Sequence, residues 1–145
     1  MGDISKDINS KFPNNRVKAL INIKFTAGWL NSKENDYFKQ YELSPQQFNI
    51  LRILRGANEP LPVQTIKDRM IERAPNTTRL MDKLCAKQFI ERVRCEHDRR
   101  VVYINISTTG LKLLSQIDAD FGIDFVDKIS EKEAELLSNL LDKIR

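Results

Sequence analysis

Two cysteines, one histidine and one tryptophan among 145 residues leave little room for several kinds of chemistry. Cys85 and Cys95 are too few for a disulfide framework, and they fit a reduced, cytoplasmic setting. A single histidine supplies general-base catalysis poorly. There is also no glycine-rich phosphate loop, no metal-spaced His/Cys cluster and no nucleophile elbow. Neither an enzyme nor a bound cofactor is expected. No apolar run approaches the roughly 20 residues needed to cross a bilayer. The polar segment from Met1 to Lys11 lacks the apolar stretch of a secretory signal, so no membrane partner is expected. Internal repeats and low-complexity tracts are absent as well, which leaves one domain, or one domain with helical extensions.

What is present is an ordinary globular balance, 41% apolar and 30% charged residues, in a chain long enough to bury a core. The net charge of +4 is modest, but its placement is uneven. Between Lys67 and Arg100 ten Lys/Arg stand against six Asp/Glu, and elsewhere fourteen of each sign cancel. All the excess positive charge therefore falls in one stretch, as the footprint of a nucleic-acid reader would. The bland alternative is a solvated basic face.

Apolar periodicity orders the chain as four helices, a hairpin and two more helices. Val17, Leu20, Ile21, Phe25 and Trp29 recur at helical spacing, and Ile23, Ala27 and Leu30 widen the stripe beyond what one contact face needs. Ser44-Pro45 caps and opens the next helix, which stops near Gly56. Glu59-Pro60-Leu61-Pro62 reads as an extended connector, followed by a short helix from Val63 to Ile71. Another helix starts near Pro75, with Thr77, Leu80, Met81 and Leu84 on its buried face and Asn76, Arg79 and Lys83 on a polar one. Phe89 to Cys95 and Val101 to Ile106 flank a polar turn as two strands, with Val102, Ile104 and Ile106 on one face. Ser107-Thr108-Thr109-Gly110 caps a helix carrying Leu111, Leu114, Ile117, Phe121 and Phe125. Ser130 and Glu133 form the capping box of a last helix, which buries Leu137, Leu140 or Leu141, and Ile144.

A short basic helix followed by a ribbon tipped Glu96-His97-Asp98-Arg99-Arg100 is the layout of a winged helix-turn-helix. The helix reads base edges in the major groove, and the ribbon reaches the adjacent minor groove of double-stranded DNA. The fold class expected is therefore mainly α with a small β-hairpin wing. The module spans residues 43–110, between helical dimerisation segments at 1–42 and 111–145. The end helices have no evident partner inside so small a module, and pairing across a two-fold axis buries them in a homodimer. A pseudo-palindromic operator follows from that symmetry.

Three motifs resemble the MarR family of bacterial transcription regulators. Thr78-Arg79-Leu80-Met81-Asp82-Lys83-Leu84 is similar to its T-R-L-V-D-R-L recognition helix. Asp98-Arg99-Arg100, with the strand Val101 to Ile106 and Thr108-Thr109-Gly110 behind it, resembles the D-R-R wing. Leu43-Ser44-Pro45-Gln46-Gln47-Phe48-Asn49-Ile50-Leu51 resembles the L-T-x-x-Q-F-x-V-L helix ahead of the module. One departure precedes the recognition helix: Ile71-Glu72-Arg73-Ala74-Pro75 stands where the family usually offers a glycine and then Ser-Pro.

The resemblance implies a repressor relieved by a small aromatic or phenolic effector, bound in a cleft between the dimerisation helices and the reading module. Phe25, Trp29, Phe38, Tyr41 and Phe48 are candidates to line it, although aromatics at helical spacing also serve as plain core. DNA contacts are expected from Asn76, Thr78, Arg79 and Lys83 on the helix and from Asp98, Arg99 and Arg100 on the wing. Asp98 is expected to brace Arg100 from the same strand face, while Arg99 points toward phosphate or Asp82. Asn76 has the alternative of satisfying free N–H groups at the helix start. Asp82 fits best as a group that orients a neighbouring arginine. Cys85 fits a structural role better than a redox sensor. Cys95-Glu96-His97-Asp98 is a poor metal clamp. The competing function is a winged helix used for protein–protein assembly, which would not need two adjacent tip arginines.

Overall fold

The structure, a computed structural model, describes residues 2–120 and 126–145. Two compact units make it up, Met1–Leu111 and Lys112–Arg145. Phe121 and Phe125, expected on the penultimate helix, lie outside the described residues.

The first unit opens with a short helix that periodicity did not disclose, α1 (Ile4–Asp7). Its cap Asp3 accepts from Ser5 N–H at 3.1 Å and pairs with Lys18 at 3.1 Å, fastening the N-terminus to the next helix. That helix, α2 (Asn15–Phe38), starts where Asn14 Oδ1 accepts the Val17 N–H at 3.0 Å. Phe38 is the only buried residue along it, and Leu20, Phe25 and Trp29 are left 52%, 43% and 40% exposed. Half of the wide apolar stripe is thus exposed and the rest only half-buried among the described residues.

A 3-10 turn (Lys39–Tyr41) leads to α3 (Pro45–Ala57). Ser44 is more than the simple cap expected: Ser44 Oγ accepts from Gln47 N–H at 3.1 Å while Gln47 Oε1 accepts from Ser44 N–H at 3.0 Å. This reciprocal box satisfies two helix-end donors at once. Ile50, Leu51 and Leu54 are the buried face of α3, and Asn58 ends it in the left-handed region at φ 54°. The connector Leu61–Pro62 is a strand, β1, and not merely extended chain. Its proline sits on a sheet edge, where the missing N–H costs no ladder bond. Helix α4 (Val63–Arg69) ends two residues earlier than the pattern suggested, leaving Ile71 80% exposed in the turn beyond it.

Helix α5 (Thr77–Ala86) buries Thr77, Leu80, Met81 and Leu84, the face its spacing predicts, and begins at Thr77, just after Pro75 and the cap residue Asn76. Thr77 Oγ1 donates to the Ala74 carbonyl at 2.6 Å, closing the turn ahead of it. Strands β2 (Ile90–Arg94) and β3 (Val102–Ile106) form the expected hairpin, in register Ile90↔Ile106, Arg92↔Ile104 and Arg94↔Val102. β1 adds to the far side of β3, giving a three-stranded antiparallel sheet in the order β1-β3-β2. Ile104, central in that sheet, is fully buried with Ile66, Leu84 and Ile50. The reading helix and the wing therefore grow from one apolar core. Among the described residues no buried side-chain polar atom lacks a partner.

Helix α6 (Thr108–Asp120) is opened by Ser107, whose Oγ accepts the Gly110 N–H at 3.0 Å. In the second unit, α7 (Glu131–Ile144) starts on the Ser130–Glu133 box foreseen from sequence. No residue of α7 is buried; Leu136, Leu137, Leu140 and Ile144 are 50–66% exposed on it. That face, expected to be buried, is thus exposed among the described residues. No helix among the described residues is long and apolar enough to cross a membrane.

Candidate nucleic-acid interface

Because Thr77, Leu80, Met81 and Leu84 face the core, the opposite side of α5 is forced outward. It carries Thr78, Arg79, Asp82 and Lys83, all exposed, with Asn76 just before the first turn. Asn76 occupies the cap position, yet its side chain makes no capping hydrogen bond, so the helix-start role considered for it is not what holds it. Its side chain is left at the surface. Among the described residues no hydrogen bond or ion pair engages the Arg79 or Lys83 side chain. Two unneutralised cations one helical turn apart on an exposed helix face suit a polyanion groove.

At the wing, residues 95–101 join β2 to β3, and Asp98, Arg99 and Arg100 are all exposed. Asp98 does brace its neighbour, but by a different geometry from shared strand faces. The three residues lie in the turn itself, where Asp98 Oδ1 accepts the Arg100 backbone N–H at 3.0 Å and the Asp98 carbonyl accepts Val101 N–H at 3.1 Å. This is an Asx-type turn, in which a short carboxylate replaces a backbone acceptor. The Arg100 guanidinium stands 3.8 Å from the same carboxylate, an ion pair without a hydrogen bond, and its side chain is 95% exposed. Asp98 thus sets the direction in which Arg100 leaves the turn and leaves its donors open.

Helix and wing are joined by a pair that periodicity did not reveal. Asp82 of α5 hydrogen-bonds Arg92 of β2, not Arg99. The reason is position: Arg92 is opposite Ile104 midway along the ribbon, where β2 contacts α5, whereas Arg99 is in the turn at the tip. The alternation of Arg92 and Arg94 on one strand face was the available signal for it. Cys85 lies half-buried on α5; burial pushes its thiol up, Arg92 draws it down and Asp82 raises it. A thiol with that balance is mostly protonated at neutral pH, as a structural cysteine is. Among the described residues no three metal-ligating side chains stand together, Cys95, His97 and Asp98 included.

Among the described residues, the aromatics expected around an effector fall into two groups. Phe38 and Phe48 pack ring on ring, 4.4 Å between centroids, and Tyr37 touches both Phe38 and Tyr41 at 5.2 and 5.8 Å. They close the junction of α2 and α3. Phe25 and Trp29 instead line a separate hollow of about 300 Å³ against α1. The cleft between α2 and the reading module, about 490 Å³, is lined by Leu30, Pro45 and Met70 together with the carboxylates of Glu34 and Glu72. Burial raises the Glu34 carboxyl, and the charge of Glu72 raises it further. None of the described lining residues is a lysine or arginine.

Residues 43–102 match the sequence model of the MarR family. The chain is 31% identical to the HTH-type transcriptional regulator PecS of Dickeya dadantii, over 74% of this chain and 68% of that protein. Among solved structures it is similar to a MarR transcription factor from Planctomyces limnophilus, with 30% identity, a TM-score of 0.69, and 92% and 98% of the two chains covered. It also shares its fold with a mutant MarR from E. coli complexed with operator DNA, at 22% identity and a TM-score of 0.70, over 99% of each chain.

Proposed function

The chain belongs to the MarR family of transcription regulators, which are not enzymes, and on that premise we propose that it binds double-stranded operator DNA as a cytoplasmic homodimer. The observation that carries this reading is the exposed pair Arg79 and Lys83 on a helix that shares its core with an arginine-tipped wing. Asn76, Thr78, Arg79 and Lys83 meet the major groove. Arg99 and Arg100, aimed by Asp98, reach the phosphates and the adjacent minor groove. A MarR of E. coli and MepR of S. aureus have been crystallised with DNA, which supports the same ligand here.

The apolar face of α2, with Leu20, Phe25 and Trp29, and that of α7, with Leu137 and Leu140, are the surfaces a second copy covers. Residues 1–42 and 111–145 are then dimerisation segments around the module 43–110, and two-fold symmetry sets operator half-sites about one helical turn apart. The protein acts as a repressor relieved by a small aromatic effector in the cleft between α2 and the reading module. Glu34 and Glu72 there favour a neutral phenol over a phenolate, since like charges repel.

Electrophoretic mobility shift with the DNA flanking the coding region tests the reading. Salt-sensitive, sequence-preferring retardation is expected. No retardation even at low salt would instead mark a winged helix used for protein assembly.

A further inference from the structure

The turn from Met70 to Asn76 delivers the chain into the reading helix, yet little apolar packing holds it. Met70 and Thr77 are buried at its two ends; between them only Ala74 is half-buried and the other residues are exposed. Asn76 supplies no side-chain cap. What holds the turn is polar. Asn49 Oδ1 of α3 accepts the Ile71 N–H at 3.0 Å. Glu72 Oε1 accepts from Asn31 Nδ2 of α2 at 3.2 Å, and Glu72 Oε2 accepts from Gln46 Nε2 of α3 at 3.5 Å. At the other end of α5, Lys87 Nζ donates to the carbonyl of Glu42, just beyond α2, and stands 3.9 Å from the Glu42 carboxylate. Both ends of the reading helix are therefore tied by side chains to the segment that contains α2.

We propose that Glu72 and Lys87 are positioning residues for DNA recognition, fixing the two ends of α5 to the α2 segment so that the placement of α2 sets the placement of the reading helix. The proposal rests on the reading that α5 enters the major groove. Glu72 matters most because its two oxygens join two helices to a turn with few other contacts. On charge alone it is a liability, since an exposed carboxylate next to a DNA reader repels phosphate. Its value is the ordering it supplies before DNA arrives. A turn already held in place has less freedom to lose on binding.

Fluorescence anisotropy with a labelled promoter duplex tests this on the full-length protein. Glu72→Ala should weaken binding by roughly three- to tenfold, the scale of one or two exposed hydrogen bonds, although it removes a negative charge. Glu72→Gln keeps an acceptor for Asn31 and should recover most of the affinity. Asn31 lies on α2, outside the winged module, and its hydrogen bond to Glu72 is the contact under test, with the dimer checked by sedimentation. Asn31→Ala should weaken binding as well, and the double variant Asn31→Ala with Glu72→Ala should be no weaker than Glu72→Ala alone. Thermal midpoints of all variants should stay near the parent, because every residue changed is at the surface. Binding by Glu72→Ala as tight as the parent's or tighter, or full additivity of the two alanine variants, would overturn the proposal while leaving DNA binding intact. A parent protein that does not bind the duplex would overturn the DNA-binding reading itself, and the proposal with it.

Discussion

Replacing Gly110 by alanine sets close packing against intrinsic helix preference. Gly110 lies in the first turn of α6, a helical site where alanine is ordinarily better than glycine by about 0.5–1 kcal/mol. Here a Cβ would run into the carbonyl oxygen of Phe89 and stand 2.9 Å from Ile106 Cγ1. The obstacle is backbone, and it is already committed: the Phe89 carbonyl accepts the Ser107 N–H at 3.0 Å. Ser107 in turn donates from Oγ to the Gln88 carbonyl at 2.6 Å and accepts from Gly110 N–H at 3.0 Å. Moving the carbonyl aside loosens that whole knot at the base of the wing. Overpacking costs about 1–3 kcal/mol, and a weakened backbone hydrogen bond costs about 1 kcal/mol more. After the propensity gain is subtracted, Gly110→Ala should destabilise by roughly 1–3.5 kcal/mol. Urea unfolding followed by circular dichroism, at matched protein concentration, should show a lower midpoint with an unchanged m-value. The thermal midpoint should fall by roughly 2–4 °C for each kcal/mol lost. Gly56 in α3 is the control, because a Cβ there meets nothing within 4 Å; Gly56→Ala should stabilise by up to about 1 kcal/mol. If Gly110→Ala is as stable as the parent while the control behaves as expected, the close approach of α6 to the strand base does not exist.

Arg79→Ala should cost about 1–3 kcal/mol per half-site and relax preference at one operator position. Equal weakening on all sequences with a shallower salt slope would make Arg79 a phosphate clamp. Asp98→Ala should weaken operator binding although it removes a negative charge, because its carboxylate holds the Arg100 N–H at 3.0 Å; tighter binding at equal salt, with the fold intact, would refute the bracing. Burial and then Glu72 raise the Glu34 carboxyl above its unfolded value, so the folded protein takes up that proton more readily and ionisation at neutral pH costs stability. Glu34→Gln should therefore raise the thermal midpoint at pH 7, the advantage shrinking as pH falls through the raised value; a midpoint difference that does not change with pH would count against this. Sedimentation should find a dimer at micromolar concentration, and a stable folded monomer there would rule out the pairing of α2 and α7 faces.

Local physics made much of this molecule legible. The buried face of α5 follows from a period of 3.6 residues, which any isolated stretch of chain displays. The Ser44 and Ser130 caps are contacts across three residues, so their motifs carry them whole. The hairpin was readable because β-branched residues alternate on both sides of a polar turn. The end of α4 was less so: it stops short of Ile71, since a hydrogen bond to Asn49 decides where the helix yields to the turn.

By itself, then, the sequence determined the order of the six longer helices and the hairpin, the apolar face of most of them, and where the positive charge collects, all properties of neighbours along the chain. Tertiary structure alone decided that Leu61 pairs with Ile104, since a two-residue strand has no period to read. It chose Arg92 over Arg99 as the partner of Asp82, because that choice depends on how high the ribbon stands beside α5. It also split the aromatics, sending Phe38 and Phe48 into packing at the α2–α3 junction and Phe25 and Trp29 to a hollow beside α1. Periodicity reports that a face will be covered. What covers it depends on which distant faces the fold brings together, and that information belongs to no single stretch of chain.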